Sequence, residues 1–307
     1  MDELELVDWL CERLAGAGPD VVQGPGDDCA LLDMQGVTLA ATTDALLEGV
    51  HFRAEDPAQD VGWKAVACGL SDLAGMGCAP RWGLCAVGLR RGGDGDWARG
   101  LAEGMAACAR KHGLALVGGD VTAGDGPASV TVTALGRPLP GGPVRRSGAQ
   151  PGDIVAVTGA LGGSGAGRHL SFAPRLAESE RLCASEAVTA MMDLSDGLAL
   201  DLKRLTRASQ VGARVEAGRV PVHPDAEALA AREGTDARMH ALTDGEDFEL
   251  LLTVRAQAWD ALASRWSLST PLVRIGRCTE ADRGLVLVDE TGQAGDWPGG
   301  GYVHALD

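Results

Sequence analysis

The sequence predicts an α/β protein, in the broad sense that includes α+β layers, built from two domains. Helix-like and strand-like segments alternate along the whole chain, which argues against an all-helical or an all-β fold. The length of 307 residues allows two domains of roughly 150 residues each. Residues 137 to 153, RPLPGGPVRRSGAQPGD, are rich in Pro and Gly and separate two well-patterned regions. We therefore predict domains at residues 1–137 and 138–307.

The elements of the first region follow from its apolar periodicity. Apolar residues spaced by three and four predict helices, and alternating or β-branched runs predict strands. The predicted helices span residues 3 to 15, 58 to 76 and 95 to 112. The predicted strands span residues 37 to 43, 83 to 89, 114 to 118 and 128 to 135.

The second region alternates in the same way. Its predicted strands span residues 153 to 158, 248 to 254 and 285 to 288. Its predicted helices span residues 198 to 209, 224 to 233 and 256 to 265. Alternation in both regions favours α/β or α+β layers in each half of the chain.

The net charge of the chain limits the classes of partner that it is expected to bind. Lys and Arg number 27 against 43 Asp and Glu, which gives a net charge of −16. Such a field repels phosphodiester backbones and anionic membranes, so we expect no nucleic-acid partner and no membrane partner. A phosphorylated substrate would more readily reach this protein through divalent cations than through a basic patch.

The cysteines and the start of the chain indicate the compartment. The eight Cys include no CxxC pair and most lie in apolar runs, which predicts buried reduced thiols. The start, MDELELVDWL, is acidic, and no apolar run approaches about 18 residues. We therefore expect a cytoplasmic protein with no signal peptide and no transmembrane segment.

Four features bear on phosphate and nucleotide binding. The sequence has no GxxxxGK[ST] string, which excludes a Walker P-loop. Residues 157 to 167, VTGALGGSGAG, could cradle a phosphate with backbone N–H groups, although a flexible turn explains them as well. No acidic residue completes a dinucleotide fingerprint after this stretch, which disfavours an NAD site. Arg145 and Arg146 could bind a phosphate or be exposed linker charges.

Carboxylates at the ends of apolar runs are the most informative feature. Each lies within two residues of Gly, Ser or Thr: Asp27 and Asp28 in GPGDDCALLD, Asp44 in TTD, Asp72 in GLSDLAGMG, Asp120 in GGD, and Asp193 and Asp196 in DLSDG. Mg²⁺ prefers such oxygen ligands, together with waters and substrate phosphates. Any one of them could instead cap a helix or stabilise a turn. Their occurrence together favours a shared cation site.

These strings together resemble the thiamine-monophosphate kinase family, of the superfamily that includes aminoimidazole ribonucleotide synthetase. The matching strings follow the family order over nearly the whole chain: GDDCALL, TTDALLEGVHF, GWKAVACGLSDLAGMG, GGDVT, RSGAQPGD, VTGALGGSGAG, DLSDGLALDL, DGEDFELLLTV and GYVH. The resemblance implies a two-domain synthetase-like fold. Its N-terminal domain would form a β-barrel-like interface in a homodimer, and its C-terminal α/β domain would complete the active site.

The implied reaction transfers the γ-phosphoryl group of ATP to thiamine monophosphate, with several Mg²⁺ ions, and gives thiamine diphosphate and ADP. The resemblance implies that the metal ligands are Asp28, Thr42, Thr43, Asp44, Asp72, Asp120, Asp193 and Asp196, with Asp27 as a further candidate. Of these, it implies catalytic roles for Asp44, Asp72, Asp120 and Asp196. It implies ATP contacts for Gly119, Asp120, Arg146 and Ser195, and thiamine phosphate contacts for His51, Glu246 and Tyr302.

Other interpretations stay open at this point. His51 could be a packed or capping histidine, and Tyr302 could dock the C-terminal residues on the core. Sister enzymes of the superfamily share the ATP site, but the residues that would mark them are absent from this sequence. A non-catalytic nucleotide-binding regulator would keep the fold, yet no acidic ligand position is lost. The chain departs from the family pattern at Asp244 and Phe248, where DGEDF replaces GGEDY.

Overall fold

The computed structural model describes residues 3–14, 18–93 and 95–305, and shows two open β-sheets with helices packed on them. The predicted alternation of helices and strands is confirmed, and the fold is a mixed α/β fold of two domains. The predicted helix at residues 3 to 15 is α1 (Glu3–Leu14), and residue 15 lies outside the described residues. No helix among the described residues is long and apolar enough to cross a membrane.

The first sheet has six strands. Its elements, in chain order, are β1 (Val21–Gln23), β2 (Ala30–Asp33), β3 (Thr38–Leu47), α2 (Ala58–Gly75), β4 (Cys78–Arg90), α3 (Gly95–His112), β5 (Ala115–Gly124) and β6 (Ser129–Pro138). The spatial order is β1-β2-β3-β6-β4-β5, and every pair is antiparallel except β4 with β5. The long helix α2 follows Pro57 and has Asp60 in its first turn, where a carboxylate favours helix initiation.

One face of the first sheet is buried beneath α2 and α3. Val130, Val132 and Ala134 of β6 are fully buried, and they alternate with half-buried residues as a one-sided strand requires. The two helices lie so close together that a Cβ added at Gly62 would collide with the Leu101 carbonyl oxygen.

The other face of the first sheet is exposed in the single chain. Thr43, Ala45 and Leu47 of β3 and Leu84 and Ala86 of β4 are all exposed. Leu84 is 44% exposed, which is unusual for a leucine in an inner strand. This face is described below as the open face.

The second sheet has seven strands. The remaining elements are β7 (Ile154–Thr158), α4 (Leu176–Ala184), β8 (Val188–Asp193), α5 (Leu198–Ser209), β9 (Gly212–Glu216), α6 (Pro224–Glu233), α7 (Ala237–Thr243), β10 (Leu250–Val254), α8 (Trp259–Ser264), β11 (Leu272–Thr279), β12 (Leu285–Val288) and β13 (Ala294–Asp296). The order is β13-β12-β9-β11-β7-β10-β8, antiparallel except for β9 with β12. Apolar clusters cover both faces, so the middle strands β7 and β10 are buried at every residue.

Several elements were not predicted from the sequence. They are β1, β2, β8, β9, β11, β13, α4 and α7. Most are short, and short apolar runs do not distinguish strand from helix. The first sheet ends at Pro138 and the second begins at Ile154, while the domain boundary itself stays a prediction.

Candidate active site

A cleft of about 280 Å³ lies between the two sheets and is lined by residues from both halves of the chain. The first half contributes Asp44, Ala45, Leu46, Val50, His51, Cys68 and Asp72. The second half contributes Asp193, Ser195, Asp196, Asp244, Glu246, Phe248, Tyr302 and His304. The fold thus brings together carboxylates that lie up to 202 positions apart, between Asp44 and Glu246.

Different elements position the carboxylates at the base of this cleft. Asp44 lies inside β3 rather than at its end, and Asp72 lies in the last turns of α2. Asp193 is the final residue of β8. Hydrogen bonds orient two of them: the Thr42 hydroxyl donates to Asp72, and the Ser71 hydroxyl donates to Asp193 at 2.6 Å.

The electrostatics of this group indicate a site built for a cation. Burial, followed by the charges of Asp44, Asp193 and Asp28, raises the pKa of Asp72 well above its usual value. Burial raises the pKa of Asp44 to about 6, and its Oδ2 atom is buried without a hydrogen-bond partner. A buried carboxylate oxygen with no partner carries a large desolvation cost, which a bound cation would offset.

Asp28 and Arg146 form a buried ion pair beside the group. Arg146 donates to Asp28 Oδ1 from Nε at 2.9 Å and from Nη2 at 2.6 Å. The backbone N–H of Asp193 donates to Asp28 Oδ2 at 3.3 Å. Asp27 accepts the backbone N–H of Arg146 at 3.1 Å, and burial raises the pKa of Asp27 to about 6. Asp28 is thus already paired, so Arg146 is turned toward protein rather than toward the cleft.

Asp196 is also paired, with Arg204 of α5. Its loop is fixed by Asp201, whose Oδ2 accepts the backbone N–H groups of Ser195 at 3.1 Å and Asp196 at 3.0 Å. Burial raises the pKa of Asp201 to about 7. Asp201 therefore stabilises the loop that presents Ser195 and Asp196 to the cleft.

The protein side chains supply only part of the ligand set that Mg²⁺ requires. Among the described residues, no three His, Cys, Asp or Glu side chains are close enough together to hold a metal ion by themselves. Mg²⁺ commonly uses one or two carboxylates and completes its octahedron with waters and substrate phosphates. Asp44, Asp72 and Asp193 fit such a substrate-dependent site, since all three line the cleft and the charges of Asp44 and Asp193 raise the pKa of Asp72.

Three residues that the resemblance implies for the site lie away from the carboxylates of the cleft. Thr43 is on the open face, where its hydroxyl lies 3.1 Å from that of Thr133. Gly119 and Asp120 are on β5, the edge strand, and two strands separate β5 from β3. Asp120 is exposed and is paired in register with Ala86. The single chain therefore does not bring Asp120 or the Thr43 side chain to Asp44.

The opposite end of the cleft carries the residues implied for the thiamine phosphate. His51 Nδ1 accepts the backbone N–H of Leu47 at 3.0 Å. Burial, with the charge of Lys64, lowers the pKa of His51 to about 4, so the ring is neutral and its Nε2–H remains as a donor. Tyr302 is 43% exposed, and its backbone N–H donates to the Asp196 carbonyl at 2.9 Å.

Sequence reasoning missed Lys64, the charged residue at the centre of this end. Lys64 is fully buried in α2 and pairs with Glu246. His169, which follows the glycine-rich stretch, contacts both of them. A lone lysine in the apolar run GWKAVAC, in a chain with three lysines, is the signal that could have identified it.

The glycine-rich stretch has a packing role. The N–H groups of Gly162 and Gly163 donate to Asp247 at 2.8 Å and Asp244 at 2.9 Å, so neither points at a ligand. A Cβ at Gly162 would lie 2.6 Å from the Ala241 nitrogen. These glycines allow close approach to α6 and α7, and Asp244 bonds to them rather than adding a free charge to the cleft.

A larger cavity, about 400 Å³, lies outside this site. It is lined by Phe52, Leu89 and Trp97 and by the ion pair of Glu48 with Arg90. Glu48 Oε2 accepts from Arg90 Nε at 2.9 Å and from the Ala128 N–H at 3.0 Å. With its charges already paired, this cavity lacks the unpartnered carboxylate that distinguishes the cleft.

Known proteins resemble the chain over most of its length. The family model described as AIR synthase related protein, N-terminal domain, matches residues 26–137, and the C-terminal domain model matches residues 150–289. A thiamine-monophosphate kinase of Rhodopirellula baltica is 38% identical over 268 residues, 84% of each chain. One of Salmonella typhimurium is 35% identical over 98% of each chain. The solved structure described as AaThiL complexed with AMPPCP and TMP superposes with a TM-score of 0.82 and 26% identity, covering 99% of this chain and 97% of that one.

Proposed function

Because the chain belongs to the thiamine-monophosphate kinase family of AIR synthase related proteins, we propose that it phosphorylates thiamine monophosphate with ATP. The bond from the γ-phosphorus to its bridging oxygen breaks, and a phosphate oxygen of thiamine monophosphate forms the new bond in line. The products are thiamine diphosphate and ADP. The reaction is a step of thiamine diphosphate biosynthesis. The observation that carries the proposal is the cleft that His51 lines together with Asp44, whose buried Oδ2 atom has no hydrogen-bond partner.

The carboxylates hold the cations that the reaction needs. Phosphoryl transfer depends on positioning and on neutralisation of phosphate charge, which Mg²⁺ supplies when it is bound. Asp44, Asp72 and Asp193 would hold Mg²⁺, and Thr42 orients Asp72. Asp28 and Asp196 lie beside them, and each is paired with an arginine. A phosphate that bound Arg146 would compete with Asp28 for its guanidinium group. Ser195, on the loop fixed by Asp201, is positioned for an ATP contact.

The other end of the cleft recognises thiamine monophosphate. The neutral His51 ring offers its Nε2–H to a phosphate oxygen. Tyr302 offers an exposed aromatic ring for the cationic thiazolium. Glu246 lines the same cleft and supplies a carboxylate acceptor.

The protein acts as a homodimer formed through the open face of its first sheet. That face carries exposed Ala, Thr and Leu side chains on a sheet whose other face is buried, and such a surface favours association. The sheet is open in one chain, and pairing with a second copy would close it into a barrel. Thr43 and Asp120 belong to this surface and Gly119 lies on the same edge strand as Asp120, so any part they play in metal or ATP binding depends on the interface.

The residues disfavour two alternatives. A sister enzyme of the superfamily would use the same ATP site with a different second substrate, yet the curated relatives described above are thiamine-monophosphate kinases. A non-catalytic regulator of the same fold is disfavoured because every carboxylate position that the resemblance implies for the site is kept in this sequence. The eight cysteines are all free thiols, which supports a reducing compartment such as the cytoplasm.

The direct test is to incubate the protein with ATP, Mg²⁺ and thiamine monophosphate and to separate the thiamine species by chromatography. We expect thiamine diphosphate and ADP in equal amounts, and neither with EDTA. Asp72→Asn removes an anionic ligand without removing volume and should lower kcat at least about 100-fold. Asp260→Asn, at an exposed position of α8, is the matched control. ATP binding without formation of thiamine diphosphate would refute the proposal in favour of a sister enzyme.

A further inference from the structure

Lys64 is the one lysine of the described residues that is fully buried, and it lies where the two halves of the chain meet. Its ammonium group contacts three acceptors from three separate segments: the His51 carbonyl oxygen at 2.7 Å, His169 Nδ1 at 2.7 Å, and Glu246 Oε1. An ammonium group has three N–H donors, so this environment satisfies all of them.

Glu246 needs this support because its backbone is strained. It has φ +52°, in the left-handed region that non-glycine residues rarely adopt, and Phe248 has φ +50°. The Glu246 N–H donates to the Ser195 carbonyl at 2.6 Å. The loop is further held where Phe248 stacks on Phe172 with ring centroids 4.0 Å apart. A strained loop persists only where its surroundings fix it, and Lys64 fixes the side chain that faces the cleft.

The pairing also determines what Glu246 offers to a ligand. Oε1 is bonded to Lys64, and Oε2 lies 3.2 Å from His169 Nδ1. Because that nitrogen accepts from Lys64, it does not donate to Oε2, which stays available as an acceptor on a side chain that is 31% exposed. The Lys64 charge offsets the Glu246 charge at close range, because both lie in a partly desolvated site. Glu246 thus acts as an oriented hydrogen-bond acceptor for the substrate rather than as a free counter-ion for its thiazolium group.

We propose that Lys64 is a positioning residue for the thiamine phosphate, which acts by orienting the Glu246 carboxylate and the His51 loop across the two halves of the chain. The proposal rests on the proposed function. Lys64 does not line the cleft, so its effect on the substrate passes through Glu246 and His51. Within the described part of the chain, Lys64 makes no hydrogen bond or ion pair with Asp72 or Ser195 at the nucleotide end of the cleft, so ATP binding should be independent of it.

A double-mutant cycle tests this inference. The steady-state KM values for thiamine monophosphate and for ATP are measured for the wild type, Lys64→Met, Glu246→Gln and the double variant. We expect Lys64→Met to raise the KM for thiamine monophosphate roughly tenfold or more and the KM for ATP less than about twofold. The double variant should be no more than about twofold worse than the poorer single variant, since both changes remove one interaction.

Two further variants keep the outcome decisive. Lys64→Gln retains N–H donors toward the His51 carbonyl but removes the charge, and it replaces Lys64→Met in the cycle if the latter does not fold. Lys111→Met, at an exposed lysine of α3, is the matched control. Fold-changes that multiply in the double variant, or equal increases in both KM values, would overturn the role of Lys64. If the wild type makes thiamine diphosphate but Glu246→Gln leaves its KM unchanged, Glu246 is not a substrate contact and the inference fails while the proposed function stands.

Discussion

At the residue scale, the charge of Asp44 lowers the stability of the folded protein. Its carboxyl is buried with one oxygen unpartnered, and burial raises its pKa from 3.8 to about 6. The folded state therefore holds the proton more tightly than the unfolded state does. The stability that the protonated Asp44 carboxyl contributes at low pH is lost as the pH rises from about 4 through 6. At neutral pH, in the absence of a cation, the charged form of Asp44 destabilises the fold.

Replacement of Asp44 should therefore stabilise the metal-free protein. We expect Asp44→Asn to increase the free energy of unfolding by about 1–3 kcal/mol at pH 8 in EDTA, and to change it little at pH 4. Mg²⁺ with ATP should stabilise the wild type and not the variant, which should also lack activity. Thermal unfolding at both pH values provides the measurement. Equal stability of the two proteins at pH 8 in EDTA would contradict this account.

At the scale of elements, α2 organises the site. Its first turns pack closely on α3, its middle carries Lys64, and its last turns carry Asp72 and end at Gly75. The end of the helix abuts the second half, where the Ser179 hydroxyl donates to the Ala74 carbonyl at 2.7 Å. One helix thus positions residues at both proposed ends of the cleft, Asp72 at the cation end and Lys64 at the substrate end.

Gly75 is where this arrangement leaves no room for a side chain. A Cβ there would collide with Asp28 Oδ2 and would lie 2.7 Å from the Asp193 nitrogen. We expect Gly75→Ala to destabilise the protein by about 1–3 kcal/mol and to lower kcat/KM, because it displaces two carboxylates together. Gly95→Ala in α3 meets nothing within 4 Å and should be neutral or stabilising. Denaturant unfolding and kinetics on both variants provide the check, and a Gly75→Ala protein that matched the wild type would show that α2 can shift freely.

At the scale of the whole molecule, the net charge of −16 and the open face set the requirements for function. Two phosphorylated substrates must enter an acidic protein, so we expect cations to accompany them into the site. The open face leaves apolar side chains of β3 and β4 in contact with solvent in one chain. Covering that face would bury them and bring the edge strand that carries Asp120 into an interface.

The proposed dimer gives a prediction at this scale. Leu84→Glu should reduce the molar mass in solution from twice 31.5 kDa to 31.5 kDa, because a charge would have to be buried at the interface. Met239→Glu, at a residue of α7 that is 39% exposed, should leave the mass unchanged. Light scattering after size exclusion gives both masses. A wild-type protein of 31.5 kDa would refute the dimer.

The sequence by itself determined the fold class, the long helices and strands, and the chemistry expected of the carboxylates. Periodicity identifies α2 and β6 because each is long and amphipathic or one-sided, and the order of acidic strings carries the family resemblance. Short strands such as β8 and β9 escaped prediction, since their pairing partners are distant in the chain.

The tertiary structure alone decided which carboxylates meet. Asp44 and Asp193 converge because β3 and β8 are each brought against α2, whereas Asp120 is placed on an edge strand by the strand order. Local spacing cannot reveal such placement, because it depends on pairings between residues far apart in sequence. Lys64 is the clearest case: an ordinary lysine in an apolar helix becomes a buried ammonium group only when His51, His169 and Glu246 fold around it.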